Sequence, residues 1–429
     1  MKKITRRQFM KTVSACAVSA GAMSLMSACG ASSSVAASTA ASAAASSVAV
    51  QDVALKVWSP EAEADITKQL CDQFAGNHPE YNMTFEYEMV ENADSITNLK
   101  NDPEAAADIF VFPSGGVAEC VEAGLIYPIT VDIDNVKTLY GENALKACSK
   151  DGEVYGIPQT PNCFFMFYNK SYYSEDEVKS LETMMAKDFD ADCYNFSFTI
   201  ANSWYMESFF YGAGCTLYGA DGTDPTECSW NDATGLKVGK YLIDLAKNPK
   251  YLEDVDSIAG SKFDEGKCGA VCSGTWSADE FQKALGDNYA AAVLPTFQLD
   301  GKECQMSNFS DYKAYGVKAS TQAPKAAQEL AEWLGGEDAQ LLRFQQLSMA
   351  PTVTALLENE EVEANPAVCA LAEMADSYAT PQPTTSQISA YWDPATAFGK
   401  GVVNGDVTEA NLQQNLDAMV EGMTSKITG

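Results

Sequence analysis

Few side chains in this chain are equipped for chemistry. It has a single histidine, His78, in AGNHPEY, where it reads as the close of a helix before Pro79. One histidine argues against His-dependent nucleophilic triads and His-rich metal sites. No GxSxG, HExxH, phosphate-loop or GxGxxG pattern occurs in a supporting context, so no catalytic residue, metal or cofactor is expected. Asp264-Glu265, or Glu61 with Glu63, could form a glycosidase-like carboxylate pair, although solvated surface charge explains them more simply. Cys268-Gly-Ala-Val-Cys272 is the one close thiol pair, in an apolar, strand-like run that suits small buried hydrophobes better than metal ligands. The more distinctive residues are aromatics set beside polar groups. SQISAYWDP (386–394) places Tyr391 and Trp392 next to a charge and a proline, and SGTWS (273–277) holds Trp276. Such residues either face a core or offer flat apolar surfaces on which a ligand stacks.

Location narrows the choice. The opening MKKITRRQFMK carries Lys2, Lys3, Arg6, Arg7 and Lys11 and no acid, and an apolar, small-residue stretch follows to Met26. That is the anatomy of a signal peptide, assigned to residues 1–28. Ala28-Cys29-Gly30 resembles a bacterial lipobox, which implies acylation of Cys29; Met26 departs from the usual leucine. Thr5 to Lys11 resembles a twin-arginine export signal, and an ordinary basic leader accounts for it equally. Residues 29–52 are an Ala/Ser-rich tether, with a reach of about 25 Å if flexible. The expected address is the extracellular face of a cell membrane, held by lipid.

The whole chain carries 28 basic and 59 acidic residues, a net charge of −31. Loss of the leader leaves 23 basic residues and a net charge of −36. So negative a body repels nucleic acid and anionic headgroups, and neither is a direct ligand. Eleven cysteines remain once Cys16 leaves with the leader and Cys29 takes lipid, an odd number with scattered spacing rather than a disulfide framework. No apolar run after the leader reaches the ~18 residues of a spanning helix.

The elements that must position the aromatics follow from periodicity. Val53–Trp58 is a strand-like run; Ile66, Leu70 and Phe74 then recur on one helical face; Met83, Phe85, Tyr87 and Met89 alternate as a strand. Ala107–Phe112 makes a third strand and GGVAECVEAG a further helix. This alternation implies right-handed crossovers and a parallel sheet. Ligands of such sheets bind at the carboxyl ends of strands, where Ser59, Glu61, Phe112 and Ser114 fall. Trp58, Trp230 and Trp333 read as packing residues.

Five segments in order carry a family resemblance: ADIFVFPSGGVAECVEAGLIYPI, DGEVYGIPQTPNCFFMFYNKSYY, KFDEGKCGAVCSGTWSADEF, AAAVLPTF with YGVKASTQAPKAAQELAEWLGGEDAQ, and SQISAYWDPATAFGKGVVNG. Together they resemble maltose/maltodextrin-binding-type solute-binding lipoproteins of sugar importers, across residues 53–423. The resemblance implies an α/β, two-lobed type II periplasmic-binding-protein-like fold, each lobe a mainly parallel sheet flanked by helices. It places lobe 1 at 53–160 and 308–352, lobe 2 at 161–307 and 353–429, and crossings near Thr160–Phe164, Met306–Asp311 and Ala350–Val353. It also implies a monomer that takes an oligosaccharide ligand in a hinged cleft and partners with ABC transporter permease subunits. Trp276 and Trp392 match the family's stacking tryptophans. Phe112 replaces the first-lobe tryptophan, Trp204 stands where the family has tyrosine, and Asn162 where maltose binders place a sugar-binding glutamate. Gly115-Gly116 and Ala62-Glu63 replace an Asp-Arg and an Asp-Lys pair. The expected ligand set is therefore Ser59, Glu61, Phe112, Ser114, Asn162, Trp204, Trp276, Tyr391 and Trp392, with the core alternative still open for the last two. The departures put maltose itself in doubt. The same fold binding another solute or serving a sensor kinase, and a surface glycosidase or lyase, are the rival readings.

Overall fold

A computed structural model describes residues 50–189, 192–254, 258–383 and 385–425. The expected leader, the acylated Cys29 and the tether up to Ala49 lie outside the described residues. In chain order the principal strands are β1 (Gln51–Ser59), β2 (Tyr81–Met89), β3 (Ile109–Pro113), β4 (Ile157–Asn162), β5 (Phe165–Asn169), β6 (Phe196–Phe198), β7 (Tyr251–Glu253), β8 (Ala270–Ser273), β9 (Tyr289–Ala292), β10 (Phe309–Val317) and β11 (Thr380–Pro381). β1 begins at Gln51, two residues inside the expected tether, because Gln51 already pairs with Tyr81.

The strands form two sheets, one per lobe. The first runs β11-β10-β3-β1-β2, with β4 also paired to β10; the second runs β9-β5-β8-β6-β7. β1 is parallel to β2 and β3, as the strand–helix alternation requires. Each sheet also carries two antiparallel pairs: β10 opposes β3 and β4, and β5 opposes β8 and β9.

Local pattern explains the first helix. Ala64–Asn77 buries Ile66, Leu70 and Phe74 at the predicted spacing, with Cys71 beside them. His78 ends it, its ring stacked 4.0 Å from Phe74 and Nδ1 3.0 Å from Glu80 Oε1. The alternation in β2 is realised, yet Tyr87 and Met89 stay exposed because β2 is the edge strand.

Lobe 1 has apolar layers on both faces of its sheet. One joins Ile66, Leu70 and Phe74 to Leu330 and Leu334; the other gathers Phe110, Phe112, Leu99, Cys120 and Cys148. Lobe 2 has one larger core, with Trp230 lying flat on Phe210 at 4.3 Å. Trp58 and Trp333 are packed as expected, their indole N–H groups donating to Glu88 Oε2 and Leu70 O. Nine of the eleven cysteines among the described residues are buried. Burial pushes the Cys71 and Cys120 thiols up to about 12, so they behave as small hydrophobes.

The two lobes meet where chain segments cross. Asn308, fully buried, donates through Nδ2 to Phe164 O (2.6 Å) and accepts from the Cys163 thiol (3.3 Å). Its carbonyl accepts from Thr380 N at 2.7 Å. Crossing segments are thus joined through one residue, whose side chain and backbone carbonyl both satisfy polar groups of its neighbours.

Glu63, considered above as half of a carboxylate pair, is committed elsewhere. Its Oε2 accepts from Gln159 Nε2 (2.7 Å) and lies 3.4 Å from Arg343 Nε, while Arg343 Nη1 donates to Leu334 O. Both members of this ion pair are buried. Removing one partner strands the other charge, so Arg343→Met should lower unfolding free energy by about 3–5 kcal/mol. Chemical denaturation of both proteins measures this; a loss under about 1 kcal/mol would show that the pair is not a structural anchor.

Candidate ligand cleft

The aromatic residues come from separate elements of lobe 2. Trp204 opens the helix Ser203–Gly212, and its N–H is fixed by the Asn202 side chain at 2.9 Å. Its ring packs 5.0 Å from Phe164 and 5.7 Å from Trp276. Trp276 sits in the short turn Thr275–Ser277 after β8, closed by a 2.8 Å contact between the Ser273 and Ser277 hydroxyls. Gly274 is needed there, because a Cβ would lie 1.9 Å from the Trp276 ring. Trp276 remains 39% exposed, unusual for so large an apolar group. Trp392 begins the helix Trp392–Asn404 and stands half-buried with its ring 6.1 Å from Phe309.

Lobe 1 faces them with β10. Alternate residues of a strand share a face, so Phe309, Asp311 and Lys313 form one row. Trp392 meets Phe309 at one end of that row. At the other end Lys313 Nζ lies 4.9 Å from the Trp276 ring centroid, a cation–π contact between lobes. The row spans ~13 Å at ~3.3 Å per residue. Between the two contacts lies Asp311, 3% exposed; the Asn162 amide and Gly115 N–H lie beside its carboxylate, but no protein donor meets either oxygen in full hydrogen-bond geometry. Burial pushes its carboxyl up to about 7; the nearby Asn162 amide, Lys313 and the Gly115 N–H temper that rise. Burial also pushes the Lys313 ammonium down, opposed by Glu63, Asp311 and Glu91.

Four other expected residues lie at the ends of lobe 1 strands. Asn162 ends β4 opposite Asp311 in the ladder. Ser114, buried, accepts from Tyr312 N at 3.0 Å. Ser59 is buried at the end of β1, its carbonyl accepting from Val90 N, and Glu61 is exposed beside it. The Gln382 amide lies against Gly115, where a Cβ would come within 1.9 Å of Nε2.

Two expectations are corrected. Phe112 is fully buried in the central strand β3, against Phe110 and beneath Gly316, so it offers no ring face to a ligand. The strand end places its backbone, but the pleat sends this side chain into the helix-covered layer. Tyr391 is also fully buried: its hydroxyl donates to Ser203 O (2.8 Å) and its ring meets Trp230 and Phe309 edge-on. Successive helical residues point about 100° apart, so Tyr391 enters the core and Trp392 does not. Sequence reasoning missed Asp311, Lys313 and Gln382. The signal for the first two was in SDYKAYG, a charged pair two positions apart within an otherwise apolar-aromatic strand.

Two shallow surface depressions, of about 320 and 390 Å³, lie near Lys56–Glu86 and near Tyr140–Lys146; none of the cleft aromatics lines them.

The correction for Tyr391 has a direct check. Tyr391→Ala should cost about 3–5 kcal/mol of stability while the folded fraction keeps its ligand affinity. Unchanged stability with weakened binding would return Tyr391 to the cleft.

Comparison with known proteins agrees with this architecture. The family pattern of the bacterial extracellular solute-binding protein matches residues 69–370. The galactooligosaccharide-binding protein of Bacillus subtilis (strain 168) is 27% identical over 389 residues, covering 87% of this chain and 89% of its own length. A maltooligosaccharide ABC transporter solute-binding lipoprotein of Streptococcus pneumoniae serotype 4 is 25% identical over 321 residues, 72% of this chain and 74% of its own. A solved structure with acarbose superposes with a TM-score of 0.82 at 33% identity, covering 87% of this chain and 99% of that one. A family match over residues 69–370, on a two-lobed fold with aromatics facing a polar strand, means that this chain belongs to the bacterial extracellular solute-binding proteins.

Proposed function

We propose that this protein captures an oligosaccharide between its lobes and delivers it, chemically unchanged, to the permease subunits of an ABC importer. The observation that carries the reading is the pairing of exposed indole surface at Trp276, flanked by Trp204, with a charged row on β10 that ends at Trp392. Sugars offer apolar C–H faces to aromatic rings and hydroxyls to polar groups, and the arrangement supplies both. Relatives named for galacto- and maltooligosaccharides support the class. Trp204, Trp276 and Trp392 serve as platforms, with Ser59, Glu61, Ser114 and Asn162 among the polar contacts.

In this reading the protein works as a monomer, lobe 1 at 53–160 and 308–352 closing on lobe 2 by hinging at the crossings. Cys29 carries the lipid that holds the body outside the membrane. Ligand release without hydrolysis separates this function from that of a glycosidase.

A thermal-shift panel of malto- and galactooligosaccharides tests the reading, since a ligand at 100 times its Kd adds about 2.7 kcal/mol. No shift with any member would overturn oligosaccharide binding, and recovery of cleaved sugar would overturn the receptor role. Within the panel, Trp276→Ala should weaken the effective ligand about thirtyfold, from roughly 2 kcal/mol of lost apolar contact, with little change in melting temperature. Separately, Cys29→Ala expressed in a lipoprotein-processing host should appear in the soluble fraction; persistent membrane attachment would remove the lipid anchor from the proposal.

A further inference from the structure

The charged row on β10 carries an inference about what reads the ligand, and it rests on the oligosaccharide reading above. Asp311 lies between the two aromatic contacts, on the strand face that meets lobe 2 at both ends. It is almost completely buried, and the Asn162 amide and Gly115 N–H beside it do not complete a hydrogen bond to either oxygen, although buried polar groups are nearly always paired. An ionised carboxylate is acceptor-only, with two oxygens held at a spacing that suits two neighbouring hydroxyl donors. Adjacent ring hydroxyls of a pyranose present such donors while the flat faces of the same chain stack on indoles. We infer that Asp311 is a specificity-determining residue, whose carboxylate accepts hydrogen bonds from a pair of hydroxyls on the sugar unit held between the Trp276 and Trp392 ends of the cleft.

The surrounding charges fix the sign of the accompanying proton linkage. Asp311 is faced by Lys313 and Tyr312 on its own strand, Cys163 beyond β4, Cys148 from the segment before β4, and Glu207 from the helix Ser203–Gly212. In the free protein burial dominates, and the carboxyl titrates at about 7. Hydroxyl donors stabilise the ionised form, so the complex holds fewer protons than the free protein and affinity rises with pH up to that value. Stability of the free protein moves the other way. A carboxyl raised in the folded state contributes stability that is lost as pH climbs through its folded value, so removing the charge raises the melting temperature at neutral pH and above.

Calorimetric titration of the wild type and Asp311→Asn with maltotetraose and with a galactotetraose, at about pH 6 and about pH 8 in buffers of different ionisation enthalpy, tests this. The wild type should release close to one proton on binding at about pH 6 and almost none at about pH 8, and bind roughly tenfold more tightly at the higher pH. Asp311→Asn should bind at least about tenfold more weakly at pH 8, lose the pH dependence, and melt higher than the wild type without ligand. Equal affinity and equal pH dependence in the two proteins would overturn the role of Asp311 and leave the oligosaccharide reading standing. Absence of binding by the wild type with either sugar would overturn both. Proton release by the wild type at about pH 6 needs no variant, and its absence there alongside tight binding would also sink the inference.

Discussion

One strand joins the two halves of this molecule, and the cleft depends on it. β10 starts in the core of lobe 2, where Phe309 packs against Tyr211, Tyr391 and Trp392, and it ends in the core of lobe 1 at Val317. Its first amide donates to Glu207 Oε1 at 3.0 Å, on a carboxyl whose burial raises its affinity for protons. Its remaining length is held between β3 and β4. A strand anchored at both ends cannot slip register without turning its whole inward face outward. The residues in its middle, Asp311 and Lys313, are therefore held in a fixed register within the first sheet.

This placement explains the division of labour in the site. Lobe 2 supplies rings from two helix starts and a strand-to-helix turn, positions where a side chain can leave the core without disturbing a ladder. Lobe 1 supplies polar groups at strand ends, where the backbone already opens. Platforms on one side and hydrogen-bonding groups on the other suit a ligand with flat apolar faces and hydroxyl edges. The same split separates affinity from selectivity. Indole faces grip many sugars alike, whereas the charged row, Asn162 and Gln382 differ from the polar set expected of a maltose binder.

The sulfur content becomes understandable in the same terms. The nine buried cysteines act as space-filling apolar groups, and burial holds the thiols of Cys71 and Cys120 protonated. Glu63 shows the opposite case. An acid that looks available for chemistry is instead spent on Arg343, 280 positions away, to close the interior of lobe 1.

Local physics was legible in the chain itself. The first helix followed from the 3.6-residue spacing of Ile66, Leu70 and Phe74, and its end from His78-Pro79. The parallel start of the first sheet followed from the alternation of strand and helix. Trp276 and Trp392, which stand on distinctive local motifs, are both left partly exposed, as a ligand-facing reading of them requires. What the sequence left open was the direction in which each side chain points and what meets it from far along the chain. Tyr391 and Trp392 are neighbours, yet one fills the core and the other faces the cleft, and only the seating of their helix against Trp230 and Phe309 decides which. Phe112 sits at a strand end like a ligand contact but turns into a covered layer. Asp311 gains its meaning from Asn162 opposite it in the ladder and from Trp276 and Trp392, which meet its strand neighbours Lys313 and Phe309 from separate stretches. Spacing records the period of one element; contacts between elements depend on how their faces pack, and that is settled only in three dimensions.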